Sequence, residues 1–242
     1  MKKPVFLTAE WRKLIMANYI VPEQVLKKYL PPHTQLDTFN GKHYVSLIGF
    51  MFKNTRLKGF KIPFHVNFEE VNLRFYVKYK DGETWKRGAV FISEIVSKPM
   101  IALVANTLFH ENYEVLKTKH KWEVNETFQN ISYQWKKKKW YELSVIADSQ
   151  AKDLTPNSEA EFITEHYFGY VKSGKNQSLE YDVEHPRWKL YDVESFYINA
   201  DFRDLYGEDF AFLNNQQVNS IFLVEGSDVL IRDAVCIKKS FG

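Results

Sequence analysis

The chain has a single cysteine, Cys236, so neither an intrachain disulfide nor a multi-cysteine zinc site can form. Long apolar runs are missing too. "YVSLIGFMF" and "MIALVANTLF" are about half of the roughly 20 residues that a membrane-crossing helix needs. The opening "MKKPVFLTAEWRKL" breaks its apolar run at Glu10, short of a secretion signal. Neither sign of charge dominates: 33 Lys and Arg against 30 Asp and Glu leave a net charge of +3. That balance gives no electrostatic draw to nucleic acid or to an anionic membrane. There is no Gly-x-Ser-x-Gly, no glycine-rich phosphate loop and no His-Glu-x-x-His. The expectation is a cytoplasmic protein with no cofactor, no metal, and no nucleic-acid or membrane partner. Its oligomeric state is left open.

Aromatic side chains are abundant: 19 Phe and 14 Tyr among 242 residues favour strands and pocket walls. Without a linker or a repeat, the chain reads as one domain over 1–242. "PEQVLKKYLPP", "KPMIALVANTLFH" and "ADFRDLYGEDFAFLN" carry helical spacing with proline or aspartate at their starts. Most of the remainder alternates as strands joined by hairpin turns, such as Asp81-Gly82. "EFITEHYFGYVK" and "SLEYDVEH" read as one such hairpin. About ten strands with about three helices predict an α+β fold built on a large antiparallel sheet or barrel.

Few residues stand out for chemistry. The run "WKKKKW" is accounted for by a solvated hairpin tip. Histidines such as His166 lack helical metal-ligand spacing, although either His166 or its neighbour Glu165 can face inward. Glu94 is different, because it interrupts "AVFISEIV", a strand apolar on both parities. It must be buried, and a buried carboxyl needs a partner or a proton; Arg74 and Arg56 are candidates. In "IPFHVNFEEVNLRFYV" the apolar parity swaps near Glu69-Glu70, which reads as a bulge or bend in one strand. Beyond the swap, Glu70, Asn72 and Arg74 share a face, with Glu70 and Arg74 ~13 Å apart by strand rise.

Several blocks resemble an uncharacterised bacterial family, the YqjF-like proteins, in the acetoacetate decarboxylase-like superfamily. They include "WRKLIMANYIVPEQVLKKYLPPHTQLD", "RGAVFISEIV", "EFITEHYFGY", "EYDVEHPRW", "LYGEDFAFL" and "SIFLVEGSDV". The resemblance implies a curved, mostly antiparallel sheet closing into a cone-shaped β-barrel around a cavity, with a few flanking helices. In the decarboxylases a Schiff-base lysine follows a Gly-Arg-Glu-x-x-Gly-x-Pro-Lys-Lys type segment. Here Asn106-Thr107 stand for Arg-Glu, and Tyr113-Glu114 stand where the lysine pair should be. Lys117 and Lys119 lie four residues beyond their places in the pattern, so the lysine is not carried over and no catalytic residue is assigned.

The candidate cavity set is therefore Glu70, Asn72, Arg74, Glu94, Arg56, Tyr113 and His166, around a small carbonyl or carboxylate compound. An enzyme, a non-enzymatic small-molecule binding module and a protein-interaction scaffold all remain open.

Overall fold

A computed structural model describes residues 2–237. Its strands, in chain order, are β1 (Val5–Val21), β2 (Gln35–Leu36), β3 (His43–Leu57), β4 (Phe68–Asp81), β5 (Thr84–Val96), β6 (Tyr113–Val115), β7 (Lys117–Val124) and β8 (Phe128–Lys136). Then come β9 (Trp140–Asp148), β10 (Lys152–Asp153), β11 (Phe168–Gly174), β12 (Gln177–Glu184), β13 (Lys189–Tyr191), β14 (Val193–Asn199), β15 (Ser220–Arg232) and β16 (Val235–Ile237). The helices are short: α1 (Glu23–Lys27), α2 (Pro99–Val104), α3 (Glu159–Thr164) and α4 (Phe202–Tyr206). A π-helical turn, Ala105–Phe109, extends α2, and a 3-10 segment, Glu208–Asn215, follows α4. The fold is mostly sheet with few helices.

Two sheets stack. The larger runs β10-β13-β15-β1-β3-β4-β5-β11-β12-β16, and β12 also pairs with β15 through Val183–Ile231 and Glu184–Leu230. The hydrogen-bonded pairs therefore lead from β15 through β1, β3, β4, β5, β11 and β12 back to β15. Most of these pairings are antiparallel, but β5 runs parallel to both β11 and β6. The smaller sheet, β14-β9-β8-β7, covers one face of the larger.

The alternation along β4 sorts its side chains between two cores. Val71, Leu73, Phe75 and Val77 join Ile131, Tyr133, Trp135, Leu143 and Val145 of the smaller sheet in one cluster. The backbone there comes close: a Cβ on Gly49 would stand 3.0 Å from the Tyr133 ring. Phe68 and Tyr76 point the other way, into a second cluster with Phe6, Trp11, Phe50, Phe52, Phe109 and Tyr181. Glu70, Asn72 and Arg74 share the parity of Phe68 and Tyr76, so their polar groups are carried into this second, aromatic interior.

Two sequence readings change here. β4 begins only at Phe68, and Phe64 is 89% exposed with φ 64°. The parity swap is thus the end of a loop and not a bend within one strand. The register does slip further along, where Leu73 pairs with Ser93 but Arg74 pairs with Phe91. Secondly, "EFIT" is helical because Ser158 caps α3, its hydroxyl accepting from Glu161 N at 3.2 Å; the strand starts at Phe168.

The lysine run lies at the β8–β9 turn, where Lys137 pairs with Glu114 at 3.0 Å and Lys138 with Asp204 at 2.6 Å.

Candidate functional site

Register alone assembles the centre of the site. Asn72 on β4 lies opposite Glu94 on β5, and Glu94 lies opposite Tyr113 on β6. Adjacent strands are about 4.8 Å apart, so three polar side chains stand in one row across three strands, with Glu70 one same-face step away on β4. Asn72 Nδ2 donates to Glu70 Oε1 at 2.9 Å, and the Tyr113 hydroxyl donates to Glu70 Oε2 at 3.0 Å. Glu70 and Glu94 are each only 3% exposed. Glu94 Oε2 is buried with no hydrogen-bond partner.

Two further residues complete the cluster. His110, at φ 57°, ends the π-helical turn in a left-handed conformation, and the chain reverses there to bring Glu111 inward. The Tyr181 hydroxyl on β12 donates to Glu111 Oε1 at 2.7 Å. Its ring lies across the backbone of Gly169 on β11, where an added Cβ would be 2.0 Å from Tyr181 Cζ; only glycine leaves that path open. Asn106 fixes the other side: its Oδ1 accepts from Tyr113 N at 2.7 Å and its Nδ2 donates to Tyr113 O at 3.0 Å.

Burial governs the protonation of these groups. It pushes Glu70 up to about 7, although Asn72, Tyr113 and the Arg74 charge pull the other way. Glu111 is driven to about 8 by burial, against the Tyr181 hydrogen bond and with the Glu70 charge adding to the rise. Glu94 rises well above the ordinary carboxyl range, first from burial and then from the Glu111 and Glu70 charges, against the pull of the nearby Tyr113 hydroxyl. Tyr113 and Tyr181 are likewise raised by burial and by these carboxylates. At neutral pH the cluster holds protons that exposed carboxyl groups would have lost.

Glu94, Glu111, Tyr113 and Tyr181 line a cavity of about 70 Å³ whose other walls include Phe6, Phe52, Phe68, Phe109 and Ile231. That volume is far below the roughly 300–1,000 Å³ of sites for drug-sized molecules. Larger grooves, such as one of about 610 Å³ over Lys119, Ser132, Ser144 and Tyr197, carry none of the seven candidate cavity residues. Among the described residues no group of three His, Cys, Asp or Glu side chains is placed to hold a metal ion, and no helix is long and apolar enough to cross a membrane.

The sequence-derived set divides accordingly. Glu70, Asn72, Glu94 and Tyr113 come together. Arg74 is buried on the same face, but its Nη2 donates to Ile163 O at 3.3 Å and its guanidinium lies 5.5 Å from the centre of the Tyr76 ring. Its charge reaches Glu70, yet no ion pair joins it to Glu94. His166 belongs to a neighbouring group: its Nε2 is 3.4 Å from Asp37 Oδ2, and its ring centre is 4.5 Å from that of Tyr76. Arg56 is exposed and donates to Gly59 O at 3.4 Å, so the expected Arg56 partnership with Glu94 does not form. Glu111 and Tyr181 escaped the sequence reading. Tyr181 carried one signal, sharing the inward parity of Val183 along β12.

Comparison with known proteins places this geometry. The model of the family DUF2071, described as "Uncharacterized conserved protein", matches residues 8–228. "Uncharacterized protein YqjF" of Bacillus subtilis (strain 168) is 28% identical over 190 residues, which is 76% of this chain and 75% of the relative. Acetoacetate decarboxylase from Legionella pneumophila superposes with a TM-score of 0.65 at 12% identity, covering 98% of this chain and 89% of that one. The enduracididine biosynthesis enzyme MppR complexed with pyruvate gives a TM-score of 0.70 at 9% identity, covering 99% and 92%. At such identities the likeness is one of fold, and the fold is acetoacetate decarboxylase-like.

Proposed function

The chain belongs to the DUF2071 family of YqjF-like proteins, and from that premise we propose that it takes a small carbonyl compound into the cavity beside Glu94 and moves a proton at the adjacent carbon. The observation that carries this reading is Glu94 Oε2, a buried carboxyl oxygen without a partner at the wall of an aromatic cavity. Buried polar atoms are almost always paired, and a bound molecule would pair this one. The return of the strand pairings from β12 to β15 supports reading the larger sheet as a closed, cone-like barrel around the site. Acetoacetate decarboxylase and the pyruvate complex of MppR share this fold, and both names carry small carbonyl compounds.

A carbonyl group suits the cavity better than a carboxylate. A ligand carboxylate would lose its hydration in an aromatic cavity whose lining has no Lys, Arg or His to pair it, a costly exchange in a low-dielectric setting. Arg74 does not offset this, because its guanidinium is turned towards Ile163 O and is not part of the cavity wall.

The chemistry follows from the split in protonation. Glu94, held protonated, donates its proton to the carbonyl oxygen. Glu111, once ionised, accepts the proton from the neighbouring carbon. The C–H electron pair becomes the C=C bond, the C=O π pair takes the Glu94 proton, and the reverse step returns the proton to Glu94 and leaves Glu111 ionised again. Tyr113 stands where the resemblance puts the Schiff-base lysine, so no step here runs through an imine.

The test is proton exchange. Small ketones and aldehydes are incubated with the protein in D₂O, and loss of their α-proton signals is followed by NMR alongside thermal shift. Exchange that rises with pH as Glu111 ionises through about 8, and that is lost in Glu111→Gln, supports the proposal. Stabilisation without exchange would leave a binding module; no stabilisation by any compound would end the small-molecule reading.

A further inference from the structure

The cavity wall carries two carboxyl groups, Glu94 and Glu111, and no positively charged side chain. Glu70 is supplied by Asn72 and Tyr113, and Glu111 by Tyr181, but Glu94 Oε2 receives nothing. None of the lining residues is Lys, Arg or His, while aromatic rings form much of the wall. An uncharged ketone accepts the Glu94 proton but brings neither a donor nor a positive charge to Glu111. A primary ammonium brings several N–H donors and a positive charge, and aromatic faces attract cations. The carboxyl groups are not arranged to hold a metal ion among the described residues, so the cation that fits is an organic one.

We propose that the compound admitted to this cavity carries a protonated primary amine, bound between Glu94 and Glu111 against the phenylalanine walls. The proposal rests on the reading of the cavity as a small-molecule site and names the compound's second functional group: an amino-ketone or amino-aldehyde of about three carbons, in keeping with a site this much smaller than a drug-sized one. The ammonium also has a chemical consequence. Its charge favours an ionised carboxylate beside it, so the ligand itself generates the base at neutral pH. The charged and titratable groups acting on the cluster are Glu70 and Arg74 from β4, Glu94 from β5, Glu111, Tyr113 from β6 and Tyr181 from β12.

A matched set of probes tests the idea by calorimetry and thermal shift at neutral pH: aminoacetone, ethylammonium, acetone and pyruvate. Aminoacetone is expected to bind about tenfold or more tightly than acetone, as befits one charge-assisted hydrogen bond, with ethylammonium stabilising and pyruvate not. Glu94→Gln should weaken both ammonium probes by about tenfold without lowering the melting temperature, and Glu111→Gln provides a second variant with the same expectation. Acetone or pyruvate binding as well as the ammonium probes would overturn the inference and leave the small-molecule site standing. Ammonium affinity unchanged in both variants would overturn it as well. Silence from all four probes would remove the small-molecule reading along with it.

Discussion

Replacing Glu70 with glutamine should stabilise the protein at high pH and do little or slight harm at low pH. Burial raises the Glu70 carboxyl from 4.5 to about 7 in the folded chain, so the folded state holds this proton more tightly than the unfolded one. Its contribution is present in full below about pH 4.5 and is lost as pH rises through about 7. An interval of that size corresponds to on the order of 3 kcal/mol of destabilisation once the group is ionised. Glutamine cannot ionise and so avoids this loss, but it has one acceptor oxygen for the two donors Asn72 Nδ2 and Tyr113 OH. Losing one of those hydrogen bonds costs about 1 kcal/mol. The net gain is about 2 kcal/mol at about pH 9, a rise in melting temperature of about 4–8 °C for a chain of this size. At about pH 5 only the lost hydrogen bond remains. Urea denaturation of both proteins at constant ionic strength across this range is the assay. A difference that does not change with pH, or a variant that becomes less stable relative to wild type as pH rises, would refute the reasoning.

Gly169→Ala should expel the Tyr181 ring, since the new Cβ would lie 2.0 Å from Tyr181 Cζ; a loss of about 1–3 kcal/mol and a changed Tyr181 fluorescence are expected, and an unperturbed variant would contradict the packing. Asp37→Asn should cost about 2 kcal/mol at neutral pH, less than for a fully buried pair because Arg87 is partly exposed. Burial alone would raise Asp37, yet His166 and Arg87 hold it at about 2. Its contribution is therefore present above about pH 4 and lost as pH falls through about 2, and chemical denaturation should show the wild-type advantage shrinking in acid. Borohydride reduction in the presence of small ketones should leave the protein mass unchanged; a lysine adduct would show that imine chemistry operates after all.

Much of the site was legible because strand periodicity is local. Glu94 announced itself by interrupting a strand apolar on both faces, and Glu70 and Asn72 followed from alternation with Val71 and Leu73. Tyr113 was reached only through the resemblance, at the place of the missing lysine. Glu111 was invisible, because its inward turn depends on the left-handed His110 and on the π-helical turn before it, neither of which has a periodic signature. Arg56 was misplaced because the end of β3 is a solvent-exposed edge that composition does not reveal. α3 was read as a strand because Phe162, Ile163 and Thr164 favour strands, although Ser158 followed by Glu161 was a helix-start signal in plain view. The loop before Phe68 imitated a strand through chance alternation, with Phe64 at the surface.

The central claim is that buried Glu70 and Glu94 and half-buried Glu111 form one cluster that retains protons at neutral pH. Carbon-13 NMR titration of labelled glutamate carboxyl groups, assigned with the three Glu→Gln variants, tests it directly. The expected result is a neutral Glu94 throughout the neutral range, with the coupled cluster titrating in steps near 7 and near 8. Titration of all three groups near 4.5, the ordinary carboxyl value, would contradict the account.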